Sequence, residues 1–180
     1  WIHESRSAKT VASDTARAVQ AARAAPGGVA TLILPADTAW NPADRAAPPL
    51  PDIGPARAGA DTIGAVAKLL SNGKKTAMLL RGNGLIDIGL AAAGRIHAKT
   101  GVRLICDNFA PHSEPGAGRV PVERIPYFGE QITAFLAGTE QIILVGSKPP
   151  VSFFAYPGKP SWCVPEACEL IHLAHPHEDG

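Results

Sequence analysis

The amino-acid sequence predicts an α/β fold with a mostly parallel, doubly wound sheet, preceded by an N-terminal helix–strand arm. Three apolar runs without polar alternation, near residues 77–81, 103–106 and 142–146, indicate strands that are buried on both faces. Amphipathic helical patterns separate these runs along the chain. Strands that alternate with helices are typical of parallel sheets, so we expect the three runs to be adjacent and parallel at the centre of one sheet.

Composition limits the possible partners of the chain, which has 180 residues and a formal net charge of +1. No block of like charges occurs, which argues against nucleic acid and against an anionic membrane surface as partners. No apolar run approaches the ~20 residues that a membrane span requires. The three cysteines form an odd, sparse set, which is typical of packed thiols in a reducing cytoplasm rather than of a disulfide framework.

The first residues, Trp1 to Glu4, lack the basic start and the apolar core of a signal peptide. We therefore expect a cytoplasmic protein. Because the chain begins with Trp1 rather than Met, we also expect that processing or truncation set its start.

The N-terminal arm is predicted within residues 1–45. An alanine-rich stretch at residues 7–25 has helical periodicity and ends at Pro26-Gly27-Gly28. The apolar run at residues 29–34 then predicts one strand, for which no sheet partner is evident upstream. We therefore expect this strand to expose backbone groups and apolar side chains, and to pair with another chain, to swap or to pack non-natively.

A proline-rich linker is predicted at residues 46–60, because five prolines lie between Asn41 and Pro55. Such a segment is extended and usually marks a domain boundary. A second domain is therefore predicted over residues 61–180, with Asp61 as the cap of its first helix. Its predicted helices cover residues 61–73, about 85–99 and about 127–136, and its minor strands lie near 162–164 and 170–173.

A glycine turn, Gly82-Asn83-Gly84, follows the first central strand and precedes a predicted helix. This order brings backbone close to a phosphate in α/β domains, although Asp87 stands where the dinucleotide fingerprint requires a small residue. Asp107 ends the next strand, 23 residues after Gly84, where a dinucleotide fold places a ribose-binding carboxylate. Two interpretations stay open: a nucleotide-type site, or a tight turn without ligand and an Asx turn at Asp107.

The helix after this turn carries Gly89 and Ala93 on one side, which would allow close packing of helix on sheet. Near the C-terminus, His172, His175 and His177 lie beside two carboxylates, and imidazole clusters can hold zinc. A proline interrupts helical spacing among these histidines, so we expect no metal site.

The loop after the third central strand, residues 147–160, contains three aromatic residues, Phe153, Phe154 and Tyr156. It leaves the carboxyl end of a core strand, where ligands of open α/β sheets bind. The aromatic side chains either cover a ligand pocket or bury against another domain or subunit. We favour the interface, because the loop is long, stiffened by proline and poor in catalytic groups.

Several segments are similar, in their order and spacing, to one enzyme family. Residues 24–37 hold a small-residue turn, an apolar strand and Pro-Ala-Asp; residues 76–84 hold a strand and glycine turn; residues 142–149 and 169–173 hold two further strands. These segments resemble the end of the N-terminal pyrimidine-binding domain and the central domain of thiamine-diphosphate-dependent enzymes: acetolactate synthases, pyruvate oxidases and benzoylformate decarboxylases. Gly28 stands where that family has proline.

The resemblance implies a Rossmann-like central domain at residues 61–180, preceded by a remnant of the pyrimidine-binding domain at residues 1–45. The implied parent enzyme joins or cleaves carbon–carbon bonds of 2-oxo acids with thiamine diphosphate and Mg²⁺. The family's activating glutamate would lie upstream of Trp1, and its Gly-Asp-Gly…Asn motif does not occur in the sequence. The resemblance therefore implies that this chain has no catalytic residue of its own and a structural role. Its partners would be the missing catalytic domains, in a homo-oligomer.

Some members of this family hold FAD or an adenine nucleotide on the central domain. The residues of this chain that would form such a vestigial nucleotide site are Gly82, Asn83, Gly84, Asp107, Ser147 and Lys148. Flavin-binding members carry an arginine after the third strand, where this chain has Ser147-Lys148-Pro149, so we expect no FAD. The alternative function is that of a self-contained, Rossmann-type nucleotide-binding module.

Overall fold

The computed structural model describes residues 1–114 and 116–179 and divides into two compact units, Trp1–Pro55 and the part that begins at Ala56. None of the helices among the described residues combines the length and apolarity that a bilayer span requires.

The first unit contains two strands that pair with each other and two helices. Its elements are β1 (Ile2–Glu4), α1 (Val11–Arg23), β2 (Thr31–Ile33) and α2 (Ala36–Trp40). Strands β1 and β2 are parallel, with Ile2 opposite Thr31. The prediction that the strand near residues 29–34 lacks a partner in this chain was wrong, because three residues are too few for β1 to show a recognisable period. The expected exposure of apolar side chains is present, since Val29 is 84% exposed.

Polar side chains fill the interior of this first unit. Ala8 is the one buried apolar residue among residues 1–55, whereas Ser5, Asp14 and Thr38 are all buried. The Ser5 hydroxyl donates to Asp14 Oδ2 at 2.8 Å, and His3 Nε2 lies 3.3 Å from Asp14 Oδ1. Thr38 Oγ1 donates to the Ser5 carbonyl at 3.3 Å, so one polar network joins β1, α1 and α2.

The second unit is built on a five-stranded sheet whose neighbouring strands are all parallel, in the order β6-β5-β4-β7-β8. Its strands are β4 (Thr76–Leu80), β5 (Arg103–Cys106), β6 (Glu123–Arg124), β7 (Gln141–Val145) and β8 (Glu169–Ala174). A separate parallel pair joins β3 (Ala56–Arg57) to β9 (Glu178–Asp179). The predicted arrangement of the three central strands is confirmed, since β4 lies between β5 and β7.

Helices cover both faces of this sheet, because successive side chains of a buried strand point to opposite faces. One face buries Met78, Leu80 and Ile143 together with residues of α3 (Ala60–Leu69) and α4 (Asp87–Thr100). The other face buries Leu79 and Ile142 together with residues of α5 (Gly129–Phe135). The predicted doubly wound α/β fold is therefore confirmed.

Three local predictions fail in this unit. Gly59, without any side-chain hydrogen bond, precedes α3 in place of the predicted cap Asp61. The strand predicted near residues 162–164 is reduced to a single bridge between Val151 and Trp162. Strand β6 lies in a stretch for which no strand was predicted, because its two residues, Glu123 and Arg124, are both exposed and polar.

Candidate functional site

The six residues of the predicted nucleotide-type site follow strands whose carboxyl ends are neighbours. Leu80, the last residue of β4, is opposite Cys106 of β5 and Val145 of β7. The glycine turn follows β4, Asp107 follows β5, and Ser147 and Lys148 follow β7 within three residues. The sheet therefore places all six at its carboxyl edge, where open α/β sheets bind ligands.

The glycine turn does not start the helix directly. Residues Gly82–Leu85 form a 3₁₀ turn, with Gly82 at φ +57° and Gly84 buried. Helix α4 begins only at Asp87, which has φ 40°, an unusual value for a residue with a side chain. Asn83 Nδ2 donates to Asp179 Oδ1 of β9 at 3.0 Å. The Asn83 side chain is therefore already hydrogen-bonded to another residue of the protein.

Gly89 packs against this turn rather than against the sheet. A Cβ on Gly89 would lie 2.1 Å from the carbonyl oxygen of Asn83, so any side chain there would collide with rigid backbone. Ala93 is buried in the core below α4. The prediction that both residues permit close packing of helix on sheet is confirmed for Ala93. Gly89 instead permits close contact between the glycine turn and the first turn of α4.

The N-terminus of α4 already has an anionic acceptor. Glu114 Oε2 accepts a hydrogen bond from the backbone N–H of Asp87 at 3.1 Å, and Arg119 Nη1 donates to the same oxygen at 2.7 Å. The backbone N–H of Glu114 donates to the Leu85 carbonyl at 3.2 Å, which holds the loop in place. Helix N-termini attract anions through their free N–H groups and dipole. The chain itself supplies that anion.

Asp107 forms an ion pair with Arg81 rather than an Asx turn. Its Oδ2 accepts a charge-assisted hydrogen bond from Arg81 Nη1, which joins the ends of β5 and β4. Among the described residues, the buried Asp107 Oδ1 finds no hydrogen-bond partner. Arg81 was missed by sequence reasoning, although it lies directly between β4 and the glycine turn.

The residues after β7 close the same edge. The hydroxyl of Ser147 is buried and donates to the Leu79 carbonyl at 2.8 Å, so it points into the sheet. Lys148 is exposed. Gly146 has φ +63°, and a Cβ there would lie 3.1 Å from the Arg81 carbonyl. A glycine at this position lets the exits of β4 and β7 approach each other.

A cavity of ≈ 340 Å³ lies at the opposite, amino edge of the sheet. Lys74, Lys75, Thr76 and Arg103 contribute to its lining. The Arg103 guanidinium binds both oxygens of Glu123, at 2.7 and 2.6 Å, and stacks over the Phe135 ring at 3.9 Å. The Arg103 guanidinium is therefore already paired, and Lys74 Nζ lies 3.8 Å from Glu169 Oε2.

The C-terminal histidines stack face to face. Ring centroids of His172 and His175 are 4.3 Å apart, and those of His175 and His177 are 5.7 Å apart. Lone pairs of imidazole lie in the ring plane, so stacked rings do not direct them at one point. In the part of the chain that the structure describes, no group of three or more His, Cys, Asp or Glu residues could hold a metal ion.

No family model matches the chain. An acetolactate synthase large subunit-like protein of Mycobacterium tuberculosis, IlvX, is 42% identical over 176 residues, which are 98% of this chain and 34% of that protein.

Two of the solved structures that are similar in fold are decarboxylases. A thiamine diphosphate-dependent 4-hydroxybenzoylformate decarboxylase of Rhodococcus jostii RHA1 is 20% identical with a TM-score of 0.67, over 96% of this chain and 33% of that one. A benzoylformate decarboxylase of Polynucleobacter necessarius is 17% identical with a TM-score of 0.65, over 94% of this chain and 32% of that one. The chain thus spans about a third of the length of the relatives it matches.

Proposed function

We propose that this chain, which is related to the thiamine-diphosphate-dependent enzymes of the acetolactate synthase type, is the structural middle part of a longer enzyme of that family. The match to the acetolactate synthase-like protein carries the proposal, because it covers 98% of this chain but 34% of the relative. Residues 1–45 would be the end of a pyrimidine-binding domain, residues 46–60 a linker, and residues 61–180 the central domain.

The structure of the first unit supports the proposal that this unit is part of a larger domain. Parallel sheets normally have both faces covered and contain more than two strands. Here the sheet has two strands, the interior is polar, and Ile2, Val29 and Trp40 are 74%, 84% and 87% exposed. Further strands and helices of a parent enzyme would cover these side chains.

The chemistry of the parent would be the joining or cleavage of carbon–carbon bonds in 2-oxo acids, as a transferase or lyase. Thiamine diphosphate, held with Mg²⁺, supplies a stabilised carbanion when it is bound. The donors of this chain do not fit that group. Asp107 is paired with Arg81, and Glu114 is bonded to Asp87 and Arg119. We therefore assign both the cofactor and the catalytic residues to other parts of the parent.

Three further properties belong to this proposal. The chain would hold no FAD, because the Ser147 hydroxyl is turned into the sheet and Lys148 lacks the planar fork of an arginine. The enzyme would be cytoplasmic, since the buried cysteines Cys106 and Cys163 form no disulfide. The parent would be a homo-oligomer.

Calorimetry and turnover assays test the proposal. We expect that thiamine diphosphate with Mg²⁺ gives no binding heat with this chain, and that pyruvate and benzoylformate are not consumed above the buffer rate. A full-length gene product that includes flanking catalytic domains should bind the cofactor and consume a 2-oxo acid. Micromolar cofactor binding by this chain, or turnover by it, would overturn the assignment.

A second candidate function is nucleotide binding at the carboxyl edge of the sheet. The placement of the glycine turn, Asp107 and Lys148 at one edge favours it. The Glu114 carboxylate at α4 opposes it, because a phosphate would have to displace this carboxylate. Titration with ADP separates the two functions: the structural role predicts no saturable binding, and the nucleotide-binding module predicts binding that Glu114→Gln strengthens.

A further inference from the structure

The sequence contains two Asn-Gly pairs, Asn72-Gly73 and Asn83-Gly84, and the structure places them in different surroundings. Asparagine followed by glycine is prone to spontaneous deamidation, because glycine has no side chain to keep its backbone nitrogen away from the asparagine side chain. That nitrogen attacks the side-chain carbon Cγ when it can lose its proton and when the two atoms can approach. The two pairs can therefore be compared by what holds the attacking nitrogen in place.

The first pair lies in the exposed turn between α3 and β4. Among the described residues, none accepts a hydrogen bond from the backbone N–H of Gly73. A Cβ on Gly73 would meet no atom within 4 Å, so the space around this residue is open to water. Neither a hydrogen bond nor packing therefore holds the attacking nitrogen, and water can take its proton.

The side chain of Asn72 is folded back over the peptide bond that would attack it. Its Oδ1 accepts a hydrogen bond from the backbone N–H of Lys74 at 3.0 Å, which is an Asx turn. Attack on Cγ turns this oxygen into an oxyanion, and a backbone N–H that already points at it stabilises the developing charge. The turn therefore brings the reacting groups together and supplies a donor for the oxyanion.

The second pair is held in a conformation that opposes the same reaction. Gly84 is buried, and its N–H donates to the Arg81 carbonyl at 3.2 Å. The Asn83 carbonyl oxygen lies so close to Gly89 that a Cβ there would be 2.1 Å away. The peptide bond between Asn83 and Gly84 can turn toward the side chain only if this 3₁₀ turn opens, and such local opening costs free energy.

We propose that Asn72 is a site of spontaneous deamidation and that the fold protects Asn83 from this reaction. The backbone nitrogen of Gly73 loses its proton to water or hydroxide and forms a bond to Asn72 Cγ. The bond from Cγ to Nδ2 then breaks, and the side-chain nitrogen takes up a proton and leaves as ammonia. Water opens the resulting succinimide at either carbonyl, which gives aspartate or isoaspartate. The reaction consumes one water, releases one ammonia and depends on no part of the proposed function.

The nitrogen that leaves is part of the contact between this turn and the sheet. Asn72 Nδ2 donates to Oε1 of the buried Gln141, the first residue of β7, at 3.1 Å. Gln141 Nε2 in turn donates to Glu169 Oε2 of β8 at 3.2 Å. A carboxylate at position 72 would face the Gln141 oxygen, which would keep Thr76 Oγ1 as its remaining donor. Deamidation therefore removes a hydrogen bond and adds repulsion at the amino edge of the sheet.

Peptide mapping by mass spectrometry tests the site on the whole chain, incubated in the folded state at mildly alkaline pH. We expect Asn72 to become one mass unit heavier at least ~10-fold faster than Asn83, a ratio that corresponds to about 1.4 kcal/mol of local opening. The control is the chain unfolded in guanidinium chloride, in which both pairs should react at similar rates. Equal rates at the two sites of the folded chain would overturn the proposal. So would an Asn72 that stays intact while the unfolded chain is fully deamidated.

Two variants test the site further. Asn72→Gln keeps an amide but would have to close a larger ring, so the mass change at this position should disappear. Asn72→Asp reproduces the aspartate product and should lower the melting temperature, whereas Asn41→Asp makes the same change at an exposed asparagine and should not. An Asn72→Asp variant as stable as the wild type would overturn the expected loss of stability, and a mass change in Asn72→Gln at the wild-type rate would overturn the assignment of the site.

Discussion

The carboxylate of Glu114 accepts a hydrogen bond from the backbone N–H of Asp87, the first residue of α4, at 3.1 Å, across 27 positions of the sequence. Arg119 holds the same oxygen at 2.7 Å. A loop of the second unit thus neutralises the positive end of a helix that a nucleotide-binding domain would leave open for phosphate.

Glu114→Gln should lower the free energy of unfolding by about 1 kcal/mol. The amide keeps the size of the side chain but loses the negative charge that interacts with the helix N-terminus and with Arg119. Urea unfolding at low ionic strength measures the difference. Glu166→Gln, at an exposed glutamate, is the control and should stay within ~0.5 kcal/mol of the wild type. A Glu114→Gln variant as stable as the control would contradict the capping role.

Gly89→Ala should destabilise the second unit, although alanine favours helices. The new Cβ would lie 2.1 Å from the Asn83 carbonyl oxygen, and displacement of backbone costs about 1–3 kcal/mol. The same exchange at Gly64 in α3 meets no atom within 4 Å and should stabilise by about 0.5–1 kcal/mol. If Gly89→Ala lowers the melting temperature and Gly64→Ala raises it, the close contact with the glycine turn is the reason that position 89 requires glycine. Two shifts of the same sign would rule this out.

The stability of the first unit should depend on the ionisation of Asp14. Burial of this carboxylate by itself would raise its pKa, but hydrogen bonds from Ser5 and Thr10 and the charge of His3 hold the pKa below its ordinary value. A carboxylate with a lowered folded-state pKa stabilises the fold above its unfolded value of about 3.9 and loses this contribution as the pH falls through the folded-state pKa.

Asp14→Asn should therefore be less stable than the wild type at pH 6, with a difference that shrinks below about pH 4. Hydrogen exchange of the β1 and β2 amides measures this locally. A difference that does not change with pH would mean that the charge of Asp14 is irrelevant. As a control, Asp44→Asn removes an exposed carboxylate and should leave exchange unchanged at both pH values.

The thiols of Cys106 and Cys163 should react slowly with a disulfide reagent in the native protein. Burial raises the pKa of both thiols, and at Cys106 this effect outweighs the opposing charge of Arg124. Because the thiolate is the nucleophile, both should react at least ~10-fold more slowly than a free thiol at pH 8, and quickly after unfolding in urea. Rapid native reaction would mean that these side chains are accessible.

The central strands and the family resemblance could be predicted from the sequence alone. A strand buried on both faces must be apolar at nearly every position, so residues 77–81, 103–106 and 142–146 carry a strong local signal. Their alternation with helices then leaves few sheet arrangements. The order of short motifs was enough to recognise a resemblance to thiamine-diphosphate-dependent enzymes, and the match to the acetolactate synthase-like protein confirms that resemblance.

Only the tertiary structure decided what the polar residues do. Glu114 reaches Asp87, Asp107 reaches Arg81, and Ser147 turns its hydroxyl to Leu79. Each of these partners is distant in sequence, and a pairing of that kind leaves no periodic pattern along the chain. Strands of two or three residues, such as β1 and β6, likewise leave no recognisable pattern in the sequence. Their backbone is ordered by the neighbouring strand rather than by their own side chains.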